Sequence, residues 1–244
     1  MKIPVFHDDQ HGTAIVVCAA AKNALLVTER KFENIKIVST GGGAAGIACL
    51  NMLVKLGVRK KNIWLCDKHG LVYAGRSIDM NSEKSAFAQK TELRSLEEVI
   101  ENADMFLGLS GPNVLKPASI KKMKSKPIIF ALANPSPEVM PESARKAAPD
   151  AIIATGRSDF FNQVNNVLCF PFIFRGALDV EATEINDEMQ VACIDAIAEI
   201  AQTTTSAEAA AAYQGESLTF GPEYLIPKPF DPRLSVVVPT AVAK

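Results

Sequence analysis

One stretch, KIVSTGGGAAG at positions 36–46, sets what the rest of the chain can fold into. The apolar run at 35–38 reads as a buried strand. Gly41, Gly43 and Gly46 follow at GxGxxG spacing, with Gly42, Ala44 and Ala45 between them. The run 47–56, IACLNMLVKL, then carries apolar residues at helical spacing and stops at Gly57. Asp67 ends a second apolar run, IWLCD, 21 positions beyond Gly46. The first glycine permits a tight turn, the second admits a pyrophosphate to the backbone, and the third lets helix and strand pack closely. Free N–H groups at the helix start suit phosphate oxygens, and Asp67 is placed to accept hydrogen bonds from a ribose. A bare glycine triplet is weak, since any tight strand–helix turn uses one. Strand, glycines, helix, strand and acid in that order are far more specific.

The rest of the chain is read around this unit. Residues 3–6 read as a short strand, and His7 to Gly12 as a polar loop. Thr13 is the expected N-cap of a buried helix, AIVVCAAAKNALLV. Asp8 and Asp9 beside that helix start allow two readings, hard-cation and catalytic carboxylates or charges favoured by the helix dipole. Short strands are expected at 104–109, 127–133 and 151–154, and a further one after the turn at KHG. Helices are expected at 81–90, 96–103, 117–123 and 141–147, and Ser95 with Glu98 forms a capping box. Strands alternating with helices over 35–155 predict an α/β, doubly wound parallel sheet of the Rossmann type with a helical C-terminal flank. Ligands bind beyond the carboxyl ends of such strands, which gathers the glycine loop, Asp67, Ser110 to Pro112, Asn134 and Thr155 to Arg157 along one edge. Asn162, Gln163, Asn165 and Asn166 border an apolar run and need partners if buried. Asn186 is expected to cap a helix over 187–201, an alanine-rich helix is expected from Ser206, and GPEYLIPKPFDPRL reads as an extended tail.

Composition excludes several classes. With 48% hydrophobic and 22% charged residues this is an ordinary globular composition. A net charge of −1 supplies no global attraction to nucleic acid or an anionic membrane. No apolar run approaches the ~20 residues of a membrane span. Five scattered cysteines without a CxxC pair suggest reduced core residues of a cytoplasmic protein.

Seven segments, IPVFHDDQHGTA, TGGGAAGIA, LCDKHGLVYAGR, FALANPSPE, ATGRSDF, NQVNNVLCFPFIFRGALDV and YLIPKPFDPRL, keep their order along nearly the whole chain. In them the chain resembles the malic enzyme family, the bacterial type most closely. The resemblance covers the cofactor-binding domain and its flanks. It implies three parts: 1–30, the end of a substrate-domain segment and a linking helix; 31–180, a NAD(P)-binding domain; and 181–244, C-terminal helices and a proline-rich tail. Both ends look cut from something longer.

The resemblance implies NAD(P)-dependent oxidative decarboxylation of malate to pyruvate and CO2 with Mg²⁺ or Mn²⁺. Asp9 resembles the metal-ligand aspartate, and Asp8 the catalytic carboxylate that pairs with the family's lysine. Residues 41–46 resemble the pyrophosphate loop and Asp67 the ribose acid. Asn134 resembles the residue on nicotinamide and substrate, and Asn166 a second amide holding malate. Asp67 favours NAD, whereas Lys68 beside it suits the 2′-phosphate of NADP. The family's lysine base, tyrosine acid and two further metal carboxylates have no match here. Gly42 stands where Ala is usual, and Phe161 where Pro is usual. The competing expectation is therefore a catalytically incomplete dinucleotide-binding fragment or partner subunit. Expected partners are malate or pyruvate and either a second copy or a missing N-terminal portion, with no nucleic acid and no membrane.

Overall fold

The computed structural model describes residues 3–204 and 218–244. The chain divides into two compact units, residues 28–161 and residues 1–27 with 162–244. This differs from the expected parts at 1–30, 31–180 and 181–244. The first helix shares a unit with the C-terminal segment, and the sheet unit closes at 161.

The sheet unit holds six strands: β1 (Ile37–Thr40), β2 (Ile63–Asp67), β3 (Gly70–Leu71), β4 (Met105–Gly108), β5 (Ile128–Ala131) and β6 (Ile152–Thr155). Their spatial order is β3-β2-β1-β4-β5-β6. All neighbouring pairs are parallel except β2 with β3. Lys68 and His69 reverse the chain, and a two-residue connection can join only antiparallel strands. The sheet is thus parallel with one antiparallel edge strand.

Period-2 alternation builds one core layer. Val38, Phe106, Ile129 and Ile153 stand side by side in register across β1, β4, β5 and β6. Residues from α4 (Leu96–Val99), α5 (Pro117–Ile120) and α6 (Pro141–Ala147) join the same buried cluster. The other helices of this unit are α2 (Ala44–Lys55) and α3 (Ser82–Ser85). The expected helix over 81–90 is therefore one turn, capped by Asn81, whose side chain accepts the Lys84 amide. The Ser95–Glu98 capping box is present.

In the second unit, α1 (Thr13–Val27) packs against α8 (Asp187–Gln202), and α9 (Leu234–Val242) against α8 and α7 (Phe172–Asp179). Residues 14–21 of α1 are all buried, as expected for a helix apolar on every side. Its buried polar residue, Asn23, is satisfied: the amide donates to the carbonyls of Ala198 and Leu225, and the side-chain oxygen accepts from Gln202. Residues 3–6 are not a strand. Helical structure also begins earlier than Thr13, through a π-helical turn, Asp8–Gly12, that runs directly into α1. Asn186 caps α8 by accepting the Met189 amide. The expected helix from Ser206 begins outside the described residues. Asn162 clamps the proline-rich stretch, donating to the Pro222 carbonyl and accepting the Leu225 amide.

Candidate functional site

Strand order reverses at β1, which has β2 on one side and β4 on the other. This is the switch point where open α/β sheets bind ligands. A cavity of about 780 Å³ opens there, lined by Gly41, Gly42, Gly43, Asp67, Lys68 and Lys84 among others. The glycines fit the cradle role. A Cβ on Gly46 would lie 1.9 Å from the Gly41 carbonyl oxygen, and one on Gly41 would lie 2.2 Å from the Leu109 oxygen. A Cβ on Gly43 would meet nothing within 4 Å, so the loop is open on the side a phosphate would approach. Gly43 caps α2, and Ala44, Ala45 and Gly46 form its first turn, where amides lack intrahelical acceptors.

Asp67 sits in this cavity with its acceptor positions filled. Oδ1 accepts from Arg76 Nη1 and the His69 amide, both at 2.9 Å. Oδ2 accepts from Arg76 Nη2 and, at 3.0 Å, from Lys84 Nζ. A carboxylate offers about four lone-pair sites, so a ribose hydroxyl reaches Asp67 only by replacing a donor. Burial by itself would raise the Asp67 pKa, but Arg76, the His69 amide and Lys84 outweigh it and hold the carboxyl well below the usual range. Lys84 also reaches Asp79, with the carboxylate at 3.2 Å and the carbonyl at 2.8 Å. Arg76 and Lys84 escaped sequence reasoning. Their only signal was a pair of cations within 17 positions of an acid that ends a strand.

Asn134 lies exposed beyond β5 at the same sheet edge but does not line this cavity. Four residues on, Glu138 is fully buried. Its Oε1 accepts the Ser110 amide at 2.8 Å, and its Oε2 the Ala133 amide at 3.0 Å. The Ser110 hydroxyl lies 2.9 Å from Thr40 Oγ1 and 3.4 Å from Glu138 Oε1. Burial pushes the Glu138 carboxyl up, and these hydrogen bonds offset part of that. Sequence reasoning missed it, since an acid between proline-rich turns reads as a solvated loop residue.

The other site candidates belong to the helical unit. Asn166 donates to the Asp8 carbonyl at 3.0 Å and lies 3.3 Å from its Oδ2, with Thr13 Oγ1 at 3.1 Å. A Cβ on Gly12 would lie 2.1 Å from Asp8 Oδ1, so the glycine makes room for that carboxylate. Among the described residues Asp8 Oδ1 is buried without a hydrogen-bond partner. Asp9 is exposed. No cluster of three or more His, Cys, Asp or Glu among the described residues could hold a metal ion. All five cysteines are buried, and none forms a disulfide. No described helix is long and apolar enough to cross a membrane.

The family model described as malic enzyme, NAD binding domain, matches residues 10–213. The chain belongs to the malic enzyme family. The NADP-dependent malic enzymes of Salmonella typhimurium and Escherichia coli are each 57% identical to it over 245 residues. The NAD-dependent malic enzyme of Rhizobium meliloti is 57% identical over 244. Each match covers 100% of this chain and 32% of the relative, so the chain spans about a third of these relatives' length. Among solved structures, the NAD-dependent malic enzyme of Thermotoga maritima superposes with a TM-score of 0.86 at 43% identity. The malic enzyme of Pyrococcus horikoshii gives 0.85 at 38%. These two matches cover 100% of this chain and 60% and 55% of the respective solved chains. Relatives named for NAD and for NADP are equally similar, so overall likeness does not select the cofactor.

Proposed function

We propose that this chain supplies the NAD(P) site for the oxidative decarboxylation of malate to pyruvate and CO2. The observation that carries the proposal is the glycine loop at the switch-point cavity, open at Gly43 and closed by backbone at Gly41 and Gly46. The first amides of α2 bind and orient the pyrophosphate. Lys84 yields its place on Asp67 to a ribose hydroxyl and turns its ammonium to a 2′-phosphate, so the site takes NADP as well as NAD. When bound, NAD(P)⁺ would supply the hydride acceptor for C2 of malate. Asn134, at the edge beyond β5, orients nicotinamide and substrate. In the helical unit Asn166 serves as the amide for malate, its carboxamide fixed by Asp8 and Thr13. Asp8 acts as a carboxylate that holds a cationic proton-transfer group.

A divalent cation does not fit the described residues alone. Asp9 would supply a single carboxylate, and such ions take six or more oxygens. Asp9 would complete a set that draws on the remaining two thirds of the relatives' length, and no step here is routed through it. The same observation favours a second reading, a dinucleotide-binding unit that needs a partner segment for turnover. Calorimetric titration with NAD⁺ and NADP⁺, alongside malate-dependent reduction of each with Mn²⁺, tests both. Binding without turnover supports the second reading for the isolated chain. Binding with metal-dependent turnover supports the first for this chain by itself. Failure to bind either dinucleotide overturns both.

A further inference from the structure

The sheet order divides the cofactor edge in two. The glycine loop follows β1, Asp67 ends β2, and on the far side of β1 lie β4 and β5. The adenosine half of a dinucleotide belongs over β2, and the nicotinamide half over β4 and β5. In that second half the sequence pointed to Ser110 to Pro112, Asn134 and Thr155 to Arg157, and to no acid. Yet a buried carboxylate lies beneath it.

We propose that Glu138 is the positioning residue of the nicotinamide half, joining the loops that follow β1, β4 and β5 into one preorganised floor. This rests on the dinucleotide reading given above. Each carboxylate oxygen accepts an amide from a different loop, Ser110 after β4 and Ala133 after β5. Through the Ser110 hydroxyl the network reaches Thr40, immediately before the glycine loop. Ala133 directly precedes Asn134, so the Glu138 bond fixes the backbone from which that side chain projects. The strand is cut to admit this group: a Cβ on Gly108 would lie 2.4 Å from Glu138 Cδ. A buried carboxylate is costly unless hydrogen-bonded, and core packing alone would be served by an apolar side chain. Two amides from two loops are what a carboxylate can satisfy and an apolar residue cannot.

The variant that tests this is Glu138→Gln. It keeps the shape but places an NH₂ donor against either the Ser110 or the Ala133 amide. Calorimetry should show NAD⁺ and NADP⁺ affinity falling by about tenfold or more, while ADP-ribose affinity stays within about twofold. The Ser110 and Ala133 amides should exchange faster, with β1 amides still protected. A general packing defect would instead lower all ligands together and expose β1. Equal loss for ADP-ribose and dinucleotide, or no loss for either, overturns the proposal while leaving the dinucleotide reading standing. A second measurement needs no substitution: in the unmodified chain, NAD⁺ should slow exchange at Ser110 and Ala133, and ADP-ribose should not. Equal effects of the two ligands there overturn the proposal. If the unmodified chain binds no dinucleotide, the functional reading falls, and this one with it.

Discussion

Arg76 lays its two terminal guanidinium nitrogens on the two carboxylate oxygens of Asp67, a fork-on-fork pair closed to solvent on both sides. Lys84 completes it as a second buried cation. Asp67 therefore serves two desolvated cations, of which Lys84 has the Asp79 carboxylate as a second partner.

Asp67→Asn removes the charge but keeps the shape. Breaking a buried pair from one side strands the other, at about 3–5 kcal/mol. Urea unfolding of the variant should show a loss of that order. A loss under about 1 kcal/mol would mean that Arg76 and Lys84 find solvent easily and that the triad is incidental.

Acid should act through the same group. Its carboxyl is held below the usual range in the folded chain. Its stabilisation is therefore complete above the unfolded carboxylate pKa of about 3.9 and is lost as pH falls below it. Unfolding free energy measured from neutral pH to about pH 2 should drop steeply at the acid end. The Asp67→Asn variant should flatten that limb. Parallel limbs for the two proteins would assign the acid sensitivity elsewhere.

Lys84→Gln separates the cofactors. If Lys84 turns to the 2′-phosphate, the variant should lose about tenfold or more in NADP⁺ affinity and change little toward NAD⁺, both read by calorimetry. Equal changes for the two would place the phosphate elsewhere, with Lys68 the next lysine to replace.

Gly46→Ala should fail without altering any charge. The added methyl meets the Gly41 carbonyl oxygen at 1.9 Å, so either the helix start or the loop must move. Dinucleotide binding should disappear, and the melting temperature should fall by several degrees, about 1–3 kcal/mol of overpacking. Gly43→Ala is the control. It meets no protein atom within 4 Å, so it should leave stability nearly unchanged while weakening dinucleotide binding.

The sheet was legible because each strand is a short apolar run followed by turn residues, a pattern that survives in one dimension. The direction of β3 was not, because Gly70 and Leu71 carry too little pattern and the two-residue turn before them decides. α1 starts at Thr13, within one residue of the expected start, but Thr13 does not cap it. Capping chemistry marks an α-helical entry, and here a π turn through Asp8–Gly12 precedes it, tied down by Asn166 more than 150 residues away. The glycine loop and Asp67 could be read from spacing. Arg76, Lys84 and Glu138 could not, because what matters about each is a partner brought near only by folding.

Asn23 donates to the Leu225 carbonyl across 202 residues of chain, and Lys22 meets Asp195 across 173. The helical unit is thus sewn from two segments, with the sheet unit formed entirely by the chain between them. During synthesis α1 leaves the ribosome before the sheet unit, and its packing partners leave after it. The sheet unit can complete its local strand–helix pairings while α1, with residues 14–21 all apolar, waits for α8. Closing so long a loop is slow, and over that interval the exposed first helix is the segment for which a chaperone would compete.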